Sequence, residues 1–137
     1  MKTVSRSSFP ARIIKAGCAD GPALVSSEPI GFLGGVDGKT GTVTERGHPL
    51  EGANVAGKVL VFPTGKGSTV GSYVLYELAA NGLAPAAIIN AESEPIVAVG
   101  AIISNITMVD QVPIDGIKTG DRVRIEGATV TVWSGSG

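Results

Sequence analysis

The chain is 137 residues long and has one cysteine, one histidine and one tryptophan. A single cysteine excludes a disulfide framework, and it excludes a zinc or iron–sulfur site built from this chain's own cysteines. Aromatic residues make up only 4%, too few for a base-stacking platform. Charged residues are 17%, against about 25% in an average domain, and the net charge of −1 gives no basic footprint for nucleic acid. The longest apolar run, Ile96–Ile103, has eight residues, far short of the about 20 needed to cross a bilayer. The start, Met1-Lys2-Thr3-Val4-Ser5-Arg6-Ser7-Ser8, carries basic residues but no apolar segment of the secretory kind. The expectation is a cytoplasmic protein with neither nucleic-acid nor membrane partners. The low charge density leaves open a surface covered by a protein partner.

Glycine is abundant, with 20 residues, or about twice the average share of about 7%. Many of the glycines fall in 31–57, a long irregular segment that also holds Asp37, His48 and Pro49. Loops of that length in a compact domain are functional or disordered, and the apolar Phe32, Leu33 and Val36 argue against disorder. Elsewhere, 11–16 and 23–26 read as short strands separated by a turn at Asp20-Gly21-Pro22. Lys58–Phe62 reads as a buried strand and 69–80 as a helix with an apolar stripe at Val70, Val74 and Leu78, capped by Ser68. Residues 86–90 read as a second buried strand. Strand, helix and strand in so short a span form a βαβ unit, so the two strands are parallel. A second helix is expected over 94–104 and a strand over 107–110. Period-2 alternation in 122–126 and 129–133 around Gly127 predicts a hairpin. The fold class is α/β: a β-rich mixed sheet or partial barrel with a βαβ unit and two main helices. One domain spans 1–137, with 1–10 and 134–137 expected to be flexible.

The loop Gly65-Lys66-Gly67-Ser68-Thr69 lies between a strand's C-terminal end and a helix N-terminus. Free N–H groups and the positive helix end favour an anion there. The glycines permit close approach, and Lys66 adds a positive charge. The spacing is not that of a Walker A loop, because Lys66 is followed by Gly67, so ATP binding is not supported. The same residues would also serve as a capped helix after a tight turn. Ser68 could act as a base or nucleophile if its proton were removed with help. A Ser-His-Asp hydrolase is poorly supported, since His48 is remote in sequence and no third partner stands out. Taken alone, Asp37 reads as a turn aspartate and His48 as a loop histidine. Glu92 and Glu94 sit where α/β sheets place ligands, and also where a helix cap belongs. Cys18 reads as a small buried residue.

Several runs together resemble a known family. They are Gly34-Gly35-Val36-Asp37, His48-Pro49-Leu50-Glu51-Gly52, Gly57 through Tyr73, Pro85 through Asn90, Glu94-Pro95-Ile96 and Val109-Asp110. The chain resembles the small subunit of the aconitase X family from about residue 11 to 132. That resemblance implies a swivelling β/β/α domain paired with a large subunit that ligates a [4Fe–4S] cluster. Archaeal two-subunit members are phosphomevalonate dehydratases, acting on (R)-5-phosphomevalonate in a modified mevalonate route to isoprenoids. Bacterial relatives dehydrate cis-3-hydroxy-L-proline. By the same resemblance Ser68 is the catalytic proton acceptor. From their place before the helix N-terminus, Lys66, Gly67 and the Thr69 backbone would help bind the substrate anion or stabilise the Ser68 alkoxide, and Gly35 and Asp37 complete the substrate-binding set. A catalytic small subunit for phosphomevalonate, one for hydroxyproline, and a non-catalytic anion-binding or regulatory partner are the three functional expectations.

Overall fold

A computed structural model of the chain describes residues 4–67 and 70–135. In chain order the elements are β1 (Val4–Pro10), β2 (Arg12–Lys15), β3 (Cys18–Val25), α1 (Phe32–Gly35), β4 (Val59–Phe62), α2 (Gly71–Ala80), β5 (Ala87–Asn90), α3 (Pro95–Ile103), β6 (Thr107–Asp110), β7 (Arg122–Glu126) and β8 (Thr129–Gly135), with a 3₁₀ turn at Ile114–Gly116.

β4 and β5 are buried at all four positions, because the continuous Val/Leu/Phe and Ala/Ile runs are covered on both faces. They pair in parallel, Val59 with Ala87 through Phe62 with Asn90, with α2 as the crossover. The eight strands form one curled mixed sheet in the order β1-β8-β7-β3-β4-β5-β6-β2. β3 joins its two halves. Cys18–Pro22 runs antiparallel to β7, and Ala23–Val25 runs parallel to β4.

Alternation along the strands divides the core. Leu60, Phe62, Ile88 and Met108 face α2 and α3 and meet Leu75, Leu78, Val97 and Ala101. Val59, Val61, Ile89 and Val109 point the other way, toward Val123, Ile125, Val130 and Val132 of the hairpin. Each fully buried Leu on α2 contributes roughly 1.5–3 kcal/mol relative to exposure. The helices approach closely because position 100 is glycine: a Cβ there would lie 2.6 Å from Leu75 Cδ1 and 3.1 Å from Ser72 Cα.

Segment 31–57 is irregular as expected, yet ordered by its own apolar residues. Phe32, Val36, Val43, Leu50 and Val55 enter the helix-side core. Phe32 meets Phe62 edge-on at 6.1 Å between ring centroids. α1 is one kinked turn, with Gly34 at φ 80.

Four expectations are corrected. Asp20-Gly21-Pro22 is not a turn but part of β3: Asp20 is ion-paired to Arg122 and to Arg124 (3.2 Å) of the adjacent strand. Gly21 is there because a Cβ would come within 3.0 Å of the Gly57 carbonyl. Residues 4–10 are not a flexible lead-in but β1, paired along their length with β8, which also takes in Ser134 and Gly135. Finally, α2 starts at Gly71 with Val70 in the N-cap position, two residues later than the periodicity suggested. Ser68, expected as the cap, lies outside the described residues. Cys18 is exposed rather than buried.

Candidate functional site

The loop after β4 is held from two sides. Pro63 O accepts the N–H groups of Ala91 and Glu92, both at 3.1 Å, which ties it to the loop after β5. Ile30 N–H donates to Thr64 O (3.3 Å), and Lys66 N–H donates to Ile30 O (3.0 Å), so Gly65 forms a parallel bridge with Ile30. A Cβ at Gly31 would lie 2.8 Å from the Lys66 carbonyl oxygen. At Gly65 a Cβ would lie 2.5 Å from Val97 Cγ2 and 2.7 Å from Glu94 Oε1. Both glycines are therefore fixed by close approach rather than by backbone conformation. Gly67 does need its freedom, with φ 102.

Glu94 faces this loop but its carboxylate is the N-cap of α3. Oε2 accepts from Ile96 N–H (3.0 Å) and Oε1 from Val97 N–H (3.1 Å), with Pro95 opening the helix. Its role is thus the capping one that the sequence left open. Glu92 is exposed beside it.

Lys66 is exposed, and its Nζ donates to Glu45 Oε2 at 2.9 Å. A Cβ at Gly35 would sit 3.5 Å from the other oxygen of Glu45. Gly35 and Lys66, far apart in sequence, therefore flank one carboxylate. Asp37 is engaged in a turn: Oδ1 accepts Lys39 N–H (2.8 Å), and its carbonyl accepts Thr40 and Gly41 N–H. Ser68 and Thr69, the other residues assigned to the site from sequence, lie outside the described residues.

His48 is buried and fully used. Nδ1 accepts Leu50 N–H at 3.1 Å, which assigns the proton to Nε2, and Nε2 donates to Pro29 O at 3.1 Å. Ser26 Oγ, 3.5 Å from the same nitrogen, donates to Glu28 O. The histidine braces the glycine-rich segment and offers no base to a nucleophile.

The strand edge carries one more charged constellation. Arg12 Nε and Nη2 donate to the two oxygens of Asp110, at 2.8 and 2.6 Å, and Ser93 N–H donates to Oδ2 at 2.9 Å. The Arg12 hydrogen bond holds the Asp110 carboxyl down at about 2; burial opposes it and the Ser93 N–H adds to it. Asp110 has no exposed side-chain surface, so this pair fixes the loop before α3. Sequence reading missed Glu45 and Arg12 as partners. Only Val109-Asp110, within the matching runs, carried any signal.

An iron–sulfur cluster does not fit this chain. Its one cysteine, Cys18, is exposed at the start of β3, and among the described residues no three Cys, His, Asp or Glu side chains converge as metal ligands. Among the described residues no helix is long and apolar enough to cross a membrane.

Comparison with known proteins follows the same lines. Residues 8–132 match the family model of the aconitase X swivel domain. The chain is 63% identical over 117 residues to the phosphomevalonate dehydratase small subunit of Methanocella arvoryzae, covering 83% of this chain and 89% of that one. It is 59% identical over 120 residues to the protein of that name from Methanosarcina acetivorans, covering 85% and 83%. The crystal structure of Thermococcus kodakaraensis aconitase X in its holo-form superposes with a TM-score of 0.90 at 51% identity, covering 92% of this chain and 98% of that one.

Proposed function

The chain belongs to the aconitase X swivel domain family, and we propose that it is the small subunit of a cytoplasmic two-subunit hydro-lyase that dehydrates (R)-5-phosphomevalonate to trans-anhydromevalonate 5-phosphate. The observation that carries this reading is the 63% identity over most of both chains to a phosphomevalonate dehydratase small subunit. In this reading residues 1–137 act as one swivelling domain.

Ser68 is the proposed base. As its alkoxide, Ser68 takes a proton onto Oγ from the carbon next to the substrate carboxylate; the C–H electron pair becomes the double bond, the C–O bond breaks with its pair on the departing hydroxide, and the proton now on Ser68 passes to that hydroxide, completing water and restoring the alkoxide. Support for Ser68 is its place in the sequence, directly after the Gly65-Lys66-Gly67 loop and inside the longest of the runs that carry the family resemblance. Lys66, Gly67 and the Thr69 backbone, with Gly35 and Asp37, are the proposed substrate-binding set. For Lys66 this requires exchange of the Glu45 carboxylate for the substrate's anion. The [4Fe–4S] cluster of this reading belongs to the large subunit, and the assisted departure of the hydroxyl is the partner's task.

The test is turnover of the anaerobically reconstituted two-subunit enzyme. Ser68→Ala should lower kcat for phosphomevalonate by about 10²-fold or more. Activity within a few-fold of wild type overturns the serine base, and leaves the chain a non-catalytic binding or regulatory partner. Turnover of cis-3-hydroxy-L-proline in place of phosphomevalonate overturns the substrate.

A further inference from the structure

Asn90 is the last residue of β5 and has no exposed surface. Its side chain lies on the helix side of the sheet, as does that of Ile88 two positions earlier. Nδ2 donates to Phe62 O at 3.0 Å and to Ile89 O at 3.2 Å. Two carbonyl partners assign this atom as the nitrogen, because only the NH₂ end of the amide can donate. Oδ1 is then buried with no hydrogen-bond partner. An unfilled buried acceptor costs stability, and an apolar side chain of the same shape would remove that cost. The amide is therefore kept for what its donor end does.

That donor end sits at the root of the loop that carries Lys66. On the β3 side, Val61 O accepts Ser26 N–H at 2.8 Å. Phe62 O is reached from the β5 side by Asn90, its register partner. Pro63 comes next and has no N–H with which to continue a ladder. Asn90 Nδ2 thus closes the last carbonyl of β4 where regular pairing stops. Directly beyond it, Ala91 and Glu92 N–H reach Pro63 O, and Gln111 N–H reaches Ala91 O at 3.0 Å, so the loops after β4, β5 and β6 are tied in series. These later ties, and those of Thr64 and Lys66 to Ile30, run from backbone to backbone. Asn90 adds a side chain to them at the point where the loop leaves the sheet. We propose that Asn90 is a positioning residue: its amide sets the direction in which 63–67 leaves β4, and hence where Lys66 stands at the carboxyl ends of the parallel strands. Being fully buried, it acts through the loop and touches no substrate. The link to turnover rests on the dehydratase reading above, to which Asn90 adds a residue outside the proposed substrate-binding set.

Asn90→Leu keeps the approximate shape of the side chain and removes the donor. Amide hydrogen exchange of the full chain is followed by NMR, and turnover is measured on the two-subunit enzyme. Exchange at Ala91, Glu92 and Lys66 should quicken at least tenfold, with the amides of β7 and β8 unchanged and the urea midpoint at or above that of wild type. For phosphomevalonate, kcat/KM per folded complex should fall at least tenfold. Asn90→Ala, which adds no bulk, should show the same local exchange and the same loss, and it replaces Asn90→Leu if that variant does not fold. Faster exchange throughout the chain, with turnover per folded complex unchanged, would mean that Asn90 only stabilises the fold, and the inference is overturned. Unchanged exchange at the three loop amides in a folded variant overturns it equally, because Asn90 then does not hold the loop. If the wild-type enzyme does not dehydrate phosphomevalonate, the dehydratase reading fails, and local exchange alone decides whether Asn90 positions the loop.

Discussion

The Lys66 ammonium lies 2.9 Å from the Glu45 carboxylate. The one cation of the glycine loop is therefore already paired before any substrate arrives, and its partner comes from the glycine-rich segment that also supplies Gly35. Both side chains are partly exposed, so the pair is worth well under about 1 kcal/mol of stability. It can be exchanged cheaply.

Glu45→Gln should therefore leave the melting temperature nearly unchanged and lower KM for the phosphorylated substrate a few-fold, with kcat constant. Steady-state kinetics of the two-subunit enzyme decide it. A raised KM would mean that Glu45 orients Lys66 rather than competing for it.

Gly65→Ala should damage both fold and site. The new methyl would press on Val97 Cγ2 and on the Glu94 carboxylate that caps α3. Overpacking of this kind costs about 1–3 kcal/mol. Urea titration should show the midpoint falling with no change in slope, and turnover should fall because the loop and the start of α3 move together.

His48→Ala removes an acceptor from Leu50 N–H and a donor to Pro29 O inside a buried setting. The expected cost is about 2–3 kcal/mol, with turnover per folded complex unchanged at low temperature. A large loss of kcat in a fully folded variant would return the histidine to the chemistry.

Asp110 gives a pH dependence of defined sign. Its folded pKa of about 2 lies below the ordinary value of 3.8. The stabilisation it provides is fully present above pH of about 4 and is lost as pH falls from there through about 2. Because Arg12 is 59% exposed, the contribution is at most about 2 kcal/mol. Asp110→Asn should lose that amount at neutral pH, and its acid unfolding curve should be flatter than wild type between pH of about 4 and 2. Parallel curves would show that the pair contributes nothing to folding.

The local pattern of the chain fixes much of this protein without help. The apolar runs at 59–62 and 87–90, with a helical stripe between them, leave parallel β4 and β5 as the arrangement that buries every side chain. Alternation around Gly127 likewise specifies the β7–β8 hairpin. The single cysteine already excluded an iron–sulfur site built from this chain's own cysteines. What tertiary structure decided is whatever depends on partners distant in sequence. Polar Ser5–Ser8 carries no strand signal until β8 supplies its hydrogen bonds, and Asp20-Gly21-Pro22 has turn chemistry that pairing with Arg122 and Arg124 overrides. Glu45 meets Lys66 across 21 residues and Arg12 meets Asp110 across 98. No local propensity encodes such pairs, because their attraction appears only after the sheet has brought the two ends of each together.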